Sequence, residues 1–383
     1  MPNQTRLPAA KISSAPQNKL HLLHVVRRYG PVGGMERYVW ELTIQLQKLG
    51  YQVTVLCERC HAAKPQGITV HELGEIAQRP HWLAALRFNW RAVRWLAANP
   101  QPDTLIHSHE RISFHDITTF HASPFATVFE KPWWKLISLR VVIQLLLERR
   151  ELNNARYIVP NSQLVKQQLA HYYPEFARKL TAPVTPGVAA VVQRKSHKAP
   201  ADGGVIGFVG KEWKRKGLPI AVAAVKQLIR TRPNLKFVVI GPDTNEIQHL
   251  FKDWQDGYIL NRWGDLADYS QFDVLFHPAK AEPYGMVISE AMAAKLPVVI
   301  SDACGARVHV TSASGTVLPH SAPIDAWVNA LDHQLNRTGQ IPKFERSWLE
   351  VALEYEKYWR SVMNEKSNPA RLPNHEVTEL SYR

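Results

Sequence analysis

Cysteine is nearly missing. Cys57, Cys60 and Cys304 are the only three in 383 residues, too few and too unevenly spaced for a disulfide framework, which suits a reducing compartment. Cys57-Glu-Arg-Cys60-His61 has no second cysteine pair to complete a zinc site and reads as incidental thiols. Long apolar runs are missing too. The longest, Trp133–Leu147, is interrupted by Lys135 and Arg140, and residues 1–18 lack the continuous apolar stretch of a signal peptide. The expectation is therefore a soluble, cytoplasmic protein. There is no internal repeat, no low-complexity tract and no spaced three-glycine fingerprint, and the last absence disfavours NAD. His109, Asp116 and His121 are spaced too irregularly for zinc, so no metal is expected. Acidic residues are also scarce, 33 Asp and Glu against 47 Lys and Arg, a net charge of +14.

The charge is uneven. Residues 1–190 carry 23 Lys and Arg against 12 Asp and Glu, and the remainder 24 against 21. A basic first half suits nucleic acid, an anionic membrane surface or a phosphorylated substrate, and charge alone does not choose among them. The length suits two domains, each able to bury a core, and 45% hydrophobic content with 26 scattered prolines describes a globular chain.

Apolar runs at Leu20–Val26, Gln52–Leu56, Thr104–His107 and Tyr157–Pro160 alternate with helical patterns at Met35–Leu49, Trp82–Ala98, Trp133–Asn153 and Ser162–His171. Alternation of this kind predicts a parallel sheet covered by helices. A stretch rich in Pro and Lys, Pro183–Gly204, interrupts the pattern. It then restarts with strands at Val205–Val209, Lys236–Ile240, Val274–His277 and Pro297–Ser301 and helices at Leu218–Thr231 and Met286–Ala294. The fold class is α/β, with two Rossmann-like domains facing a cleft. Residues 19–184 form the first, 185–204 a linker, 205–345 the second and 346–363 a helix returning to the first. Residues 1–18 and 366–383 are expected to be disordered tails.

Three segments carry chemistry. In Ala281-Glu-Pro-Tyr-Gly-Met-Val-Ile-Ser-Glu-Ala-Met, a loop leads into a helix. Gly285 allows close backbone approach, and the free N–H groups at the helix start suit a phosphate. Glu290 borders the apolar stripe of that helix, where a carboxylate needs a partner such as a ribose diol. Glu282 could instead be a carboxylate favoured at a helix start, and Glu290 a helix-face charge. Val209-Gly-Lys-Glu-Trp-Lys-Arg-Lys-Gly217 follows a strand, and its cations could neutralise a diphosphate or form a solvated basic turn. Gly30-Pro-Val-Gly-Gly-Met-Glu-Arg-Tyr38 places Gly33 and Gly34 at a helix start, for ligand approach or simply for a tight turn.

The first segment resembles the donor-site signature of glycosyltransferase family 4, retaining enzymes of GT-B fold in which two glutamates bracket seven residues, as Glu282 and Glu290 do. The resemblance spans roughly Lys19 to Met363. His277-Pro-Ala, the glutamate pair and Ala303-Cys-Gly305 are similar to lipopolysaccharide core glycosyltransferases of the glucosyltransferase I type. It implies a catalytic set of Glu282, His121, Arg215 and Lys216, with Arg215 and Lys216 on the diphosphate. It implies that Glu290 holds the ribose, that Gly285, Met286 and Val287 contact sugar and diphosphate through their backbone, and that Gly210, Gly33 and Gly34 line the donor site. Thr119-Phe-His121-Ala-Ser resembles the stretch that sets a histidine beside the donor sugar. Lys211 stands where many members carry Arg. The implied reaction transfers a hexose from a UDP-sugar to a phosphorylated, lipid-linked oligosaccharide by front-face displacement, without cofactor or metal. A nucleotide-sugar epimerase of the same fold is the alternative enzyme, as is a transferase of another envelope or capsular polysaccharide. Nucleic acid is disfavoured because the two glutamates would repel it.

Arg87, Arg91 and Arg94 with Trp82, Trp90 and Trp95, and Trp133, Trp134, Lys135 and Arg140, combine basic and interfacial residues. Both segments suit peripheral binding to an anionic inner-membrane surface, or else are core helices with solvated arginines.

Overall fold

The computed structural model describes residues 20–75, 80–100, 103–195, 198–254, 256–261 and 268–367. The expected tails lie outside these residues, except for Lys366 and Ser367, which belong to the last helix.

The first half runs β1 (His21–Val25), β2 (Arg28–Tyr29), α1 (Gly34–Lys48), β3 (Gln52–Cys57), β4 (Arg59–Cys60), β5 (Ile68–Glu72), α2 (His81–Ala98), β6 (Thr104–Ser108), β7 (Ile117–Phe120), α3 (Leu139–Asn154), β8 (Tyr157–Pro160) and α4 (Gln163–Tyr172). The second half runs β9 (Gly203–Val209), α5 (Leu218–Leu228), β10 (Asn234–Ile240), α6 (Thr244–Ile247), β11 (Tyr258–Asn261), β12 (Val274–His277), α7 (Met286–Ala293), β13 (Val298–Ser301), β14 (Gly315–Leu318), α8 (Ile324–Leu335) and α9 (Trp348–Ser367).

Each half builds one parallel six-stranded sheet, ordered β5-β3-β1-β6-β7-β8 and β11-β10-β9-β12-β13-β14. The central strands are buried on both faces, so they read as unbroken apolar runs such as Leu22-Leu23 and Leu275-Phe276. In each sheet the order reverses beside the first strand, between β1 and β6 and between β9 and β12. In an open α/β sheet, ligands bind outside the strand ends at such a reversal.

The last helix returns to the first half. Trp348, Val351, Tyr355, Trp359 and Val362 of α9 share a core with Tyr38, Val39 and Leu42 of α1 and Leu22 of β1. The chain thus crosses between halves twice, and the crossings run side by side: Val188 N–H donates to Arg346 carbonyl oxygen at 2.7 Å, and the Arg346 guanidinium donates to Thr185 carbonyl oxygen at 3.1 Å. Residues 185–195 and 198–202 contain neither helix nor strand, and β9 starts at Gly203, two residues ahead of the expected strand.

Several elements differ from expectation. Strands β2, β4, β5, β7, β11 and β14 are additional. β7, Ile-Thr-Thr-Phe, is wholly buried with its threonines hydrogen-bonded, so it shows no alternation of polar and apolar residues. The helix expected over Trp133–Asn153 is split. A single 3-10 turn spans Trp133–Lys135, and α3 begins only at Leu139 because Ser138 is extended at φ −154°. The break leaves Trp133 68%, Trp134 61%, Ile137 74% and Leu139 71% exposed. In α2 the three arginines do not act alike. Arg91 turns back to donate to the carbonyl oxygens of Leu73 and Gly74, whereas Arg87 and Arg94 stay exposed.

Trp359 is fully buried and stacks on Tyr355 at 5.4 Å between ring centroids. Trp359→Ala is expected to cost about 3–5 kcal/mol, read as a lower denaturant midpoint with loss of the α9 contacts. A loss below about 1 kcal/mol would show that α9 does not stabilise the first half.

Candidate functional site

The loops that follow β1, β6, β9 and β12 all open at the two reversals, and they carry Gly33 and Gly34, His109 and Glu110, Gly210–Gly217, and Pro278–Gly285. His121 lies one residue past β7, and Glu290 lies in α7.

Glu282 is the electrostatic centre. Its buried Oε2 lies 2.8 Å from Lys216 Nζ, 3.5 Å from an Arg215 Nη and 3.4 Å from His277 Nε2. Burial alone would raise its carboxyl, but Lys216, the His277 hydrogen bond and Arg215 outweigh it and hold the group well below the usual carboxylate range. The loop is stitched in place. Glu282 N–H donates to Ala303 carbonyl oxygen at 2.9 Å, and Gly305 N–H donates to Glu282 carbonyl oxygen at 2.9 Å. Arg215 also donates to Glu212 and to the Ala281 carbonyl oxygen, which fixes its guanidinium against the same loop.

Two glycines are demanded by close approach. Gly210 sits at φ +151°, and a Cβ there would lie 2.2 Å from Lys216 Cδ, so only glycine lets the lysine stem fold across the loop towards Glu282. Gly285 caps α7 at φ +94°, where a Cβ would meet Ile288 Cδ1 at 2.8 Å. Val287 is buried among apolar neighbours and Met286 packs half-buried, so their backbone N–H groups, not their side chains, are what α7 can offer a ligand.

Glu290 is buried and has two partners. Arg37, from α1 of the other half, donates to Oε1 at 2.8 Å, and Tyr269 O–H donates to Oε2 at 2.6 Å. The carboxylate therefore does not wait for a ligand to supply its first partner. Each oxygen still has lone-pair capacity for a hydroxyl donor. Neither Arg37 nor Tyr269 was expected from the sequence. Arg37 lies one turn beyond Gly33-Gly34 in a segment already marked, and that position was the available signal.

The halves meet here. Lys211 Nζ donates to Val32 carbonyl oxygen at 3.3 Å, joining the loop after β9 to the loop of Gly33 and Gly34. Gly33 caps α1 with extended backbone and leaves no room for a Cβ beside the Glu36 carboxylate, whereas a Cβ on Gly34 would meet nothing within 4 Å, so the turn is open at Gly34. Ser162 O–H donates to Pro283 carbonyl oxygen at 2.5 Å, and the neighbouring Asn161 amide donates to the His121 carbonyl oxygen at 3.2 Å. Thus a short bridge links His121 to the Glu282 loop. His121 Nε2 lies 2.9 Å from His109 Nδ1, its ring packs edge-on to Tyr38, and burial pushes it down to about 3. His107 and His109 are buried in this core.

Glycosyltransferase family models match both halves of the chain. The family model described as Glycosyltransferase Family 4 matches residues 32–189, and that described as Glycosyl transferases group 1 matches residues 192–347. The chain belongs to this glycosyltransferase family. A D-inositol 3-phosphate glycosyltransferase of Corynebacterium aurimucosum is 23% identical over 354 residues, covering 80% of this chain and 84% of that protein. The structure of WaaG, a glycosyltransferase involved in lipopolysaccharide biosynthesis, aligns at a TM-score of 0.73 with 16% identity, over 92% of this chain and all of that one. Anabaena HepE in complex with UDP-glucose aligns at 0.61 with 15% identity, over 92% and 99%. These structures show the GT-B fold in this glycosyltransferase.

Buried histidines give the protein an acid-sensitive core. Burial pushes His24 down to about 3 and His115 down to about 4, with His107 and His109 well below their usual value; the partly exposed His121 is also lowered, to about 3, while Glu110 and Glu151 are pushed up to about 7. Below pH ~6.5 the unfolded chain takes up protons on these histidines that the fold refuses, about 1.4 kcal/mol per group and pH unit. The two carboxyls act oppositely between about 4.5 and 7 but are fewer. The thermal midpoint should therefore fall from pH 7 to pH 5. A flat or rising midpoint would count against neutral histidines in the core.

Proposed function

We propose that the protein is a retaining hexosyltransferase that takes a UDP-sugar as donor and a phosphorylated, lipid-linked oligosaccharide of the lipopolysaccharide core as acceptor. The observation that carries this reading is the convergence at one pair of sheet reversals of a buried carboxylate holding Lys216 and Arg215, a helix start at Gly285, and a second buried carboxylate, Glu290. A nucleoside diphosphate leaving an anomeric carbon gathers negative charge on its oxygens, and fixed cations and N–H dipoles that need not reorganise lower that barrier. Lys216 and Arg215 take this role, aided by the backbone of Gly210, Gly33 and Gly34 and by that of Gly285, Met286 and Val287. Glu290 accepts the ribose hydroxyls beside Arg37 and Tyr269. Glu282 orients the cations and borders the sugar with His121. Displacement on the front face, with the departing diphosphate helping to accept the acceptor proton, needs no protein nucleophile and no metal or cofactor.

The UDP complex of HepE and the lipopolysaccharide role of WaaG support donor and acceptor class respectively. Among the described residues no helix is long and apolar enough to cross a membrane. The exposed Trp133, Trp134, Ile137 and Leu139, flanked by exposed Lys131 and Arg140, support peripheral docking on an anionic inner-membrane surface from the cytoplasmic side.

Two experiments test this. With a panel of UDP-sugars and truncated core acceptors, one pair should give transfer with retained configuration, and Glu290→Ala should lower kcat/KM for the donor about ten- to hundred-fold with the fold intact. Near-normal turnover would remove Glu290 from the site, and UDP-sugar isomerisation without acceptor would favour the epimerase. In liposome flotation, the protein should float with anionic vesicles, and Trp133→Ser with Trp134→Ser should lose most of that binding. Equal flotation on neutral lipid would sink the membrane reading.

A further inference from the structure

Four histidines meet beneath the cleft in the first half. His24 lies in β1, His107 in β6, and His109 and His121 just beyond β6 and β7. The first three are buried and offer nitrogens within 4.8 Å of one another, whereas His121 is only partly covered. The bonds among them form a line: His121 Nε2 lies 2.9 Å from His109 Nδ1, and His109 Nε2 lies 3.1 Å from His24 Nδ1. His24 Nε2 ends the line inside the protein without a partner.

Neutral rings carry one N–H each, and each bond needs one proton between its two nitrogens. If His109 donates to His121 through Nδ1, its Nε2 must accept from His24 Nδ1–H. If His109 accepts from His121, its Nε2–H must donate to His24. Either way all three rings hold the same tautomer. The proton position on His121 is therefore coupled to that on His24, two rings away.

A second chain pins the neighbouring ring. The Tyr38 hydroxyl lies 3.4 Å from the Val184 carbonyl oxygen and 2.8 Å from the Tyr355 hydroxyl. Tyr355 is hydrogen-bonded to Thr119 Oγ1 at 2.7 Å, and Thr119 Oγ1 to His107 Nε2 at 2.7 Å. His107 Nδ1 is buried without a partner, and its ring stacks on His109 at 4.4 Å and 28°. The His24 and His109 rings are near-parallel at 17° with centroids 5.4 Å apart, as end-to-end hydrogen bonding requires. Near-parallel rings do not aim their in-plane lone pairs at one point, as a shared metal ion would require, whereas they suit a hydrogen-bonded line.

We propose that His24 and His109 are positioning residues, whose imidazole line ties the tautomer of His121 to theirs, so that the hydrogen-bonding polarity its remaining nitrogen, Nδ1, offers the donor sugar hydroxyl changes only when all three rings change together. This rests on the reading of His121 as a neighbour of the donor sugar. In sequence the line joins residues 85 and 12 positions apart.

The test uses the full-length protein labelled with 15N-histidine. Between pH 6 and pH 8, His24, His109 and His121 should each appear neutral and in the same tautomer. Mixed tautomers among them, or protonation of His121 near pH 6.5, would overturn the proposal, as would a shift of these signals when zinc chloride is added. In UDP-sugar kinetics, His24→Phe keeps the bulk but breaks the line and should raise the donor KM about five-fold, the worth of one hydrogen bond. His24→Asn sets an amide near the Nδ1 position and should stay within about two-fold, although it leaves more empty space. The reverse ranking is that of a packing role and would overturn the proposal. If His24→Phe does not fold, the wild-type spectra still decide. An unchanged donor KM in His121→Ala would overturn the placement of His121 beside the sugar and with it this role. Scrambled tautomers alongside an impaired His121→Ala would overturn the imidazole line alone.

Discussion

The site depends on a carboxylate kept charged inside the protein. Removing a carboxylate and an ammonium from water costs several kcal/mol per ion, which is recovered only where geometry and further hydrogen bonds are favourable. Glu282 meets that condition through Lys216, Arg215 and His277. The backbone around it is arranged to the same end. Gly210 makes room for the Lys216 stem, and Gly217 at φ +83° approaches so near that a Cβ would lie 1.9 Å from the Pro278 carbonyl oxygen. The loops after β9 and β12 are thus in contact before any ligand arrives, and the cations they carry are already oriented.

The two halves share a topology but not a chemistry. The second supplies charge: two carboxylates, a lysine and an arginine within one loop-helix unit and its neighbour. The first supplies an open glycine turn, Arg37 and a layer of neutral imidazoles backed by Tyr355 and Trp359 of α9. The ends of the chain's folded part therefore cooperate. The last helix, α9, supports the hydrogen-bond network around His107 through Tyr355 and Trp359.

Much of this was legible in the sequence. Spacing across Ala281–Ile300 marked Glu282, Gly285 and Glu290 because a loop, a helix start and a strand must follow one another within a short stretch, and local order of this kind is what residue patterns record. The alternation of strands and helices likewise announced two parallel sheets. Arg37 and Tyr269 were not legible as partners of Glu290, since they lie 253 and 21 residues away and only the fold unites them. His24 was hidden for another reason: in an apolar run it looks like an interruption, and its role depends on which strand becomes its neighbour. The split of the helix expected from Trp133 escaped because periodicity continues through Ser138, whereas the backbone does not.

The paired crossings between the halves set the kind of motion the enzyme can make. A single connecting segment acts as a swivel. Two segments tied by the Val188–Arg346 and Arg346–Thr185 bonds act instead as a strap hinge, which bends readily about one line but resists twisting. An opening along that line would separate Arg37 from Glu290 and Lys211 from Val32 together, and closing along it would restore both pairs.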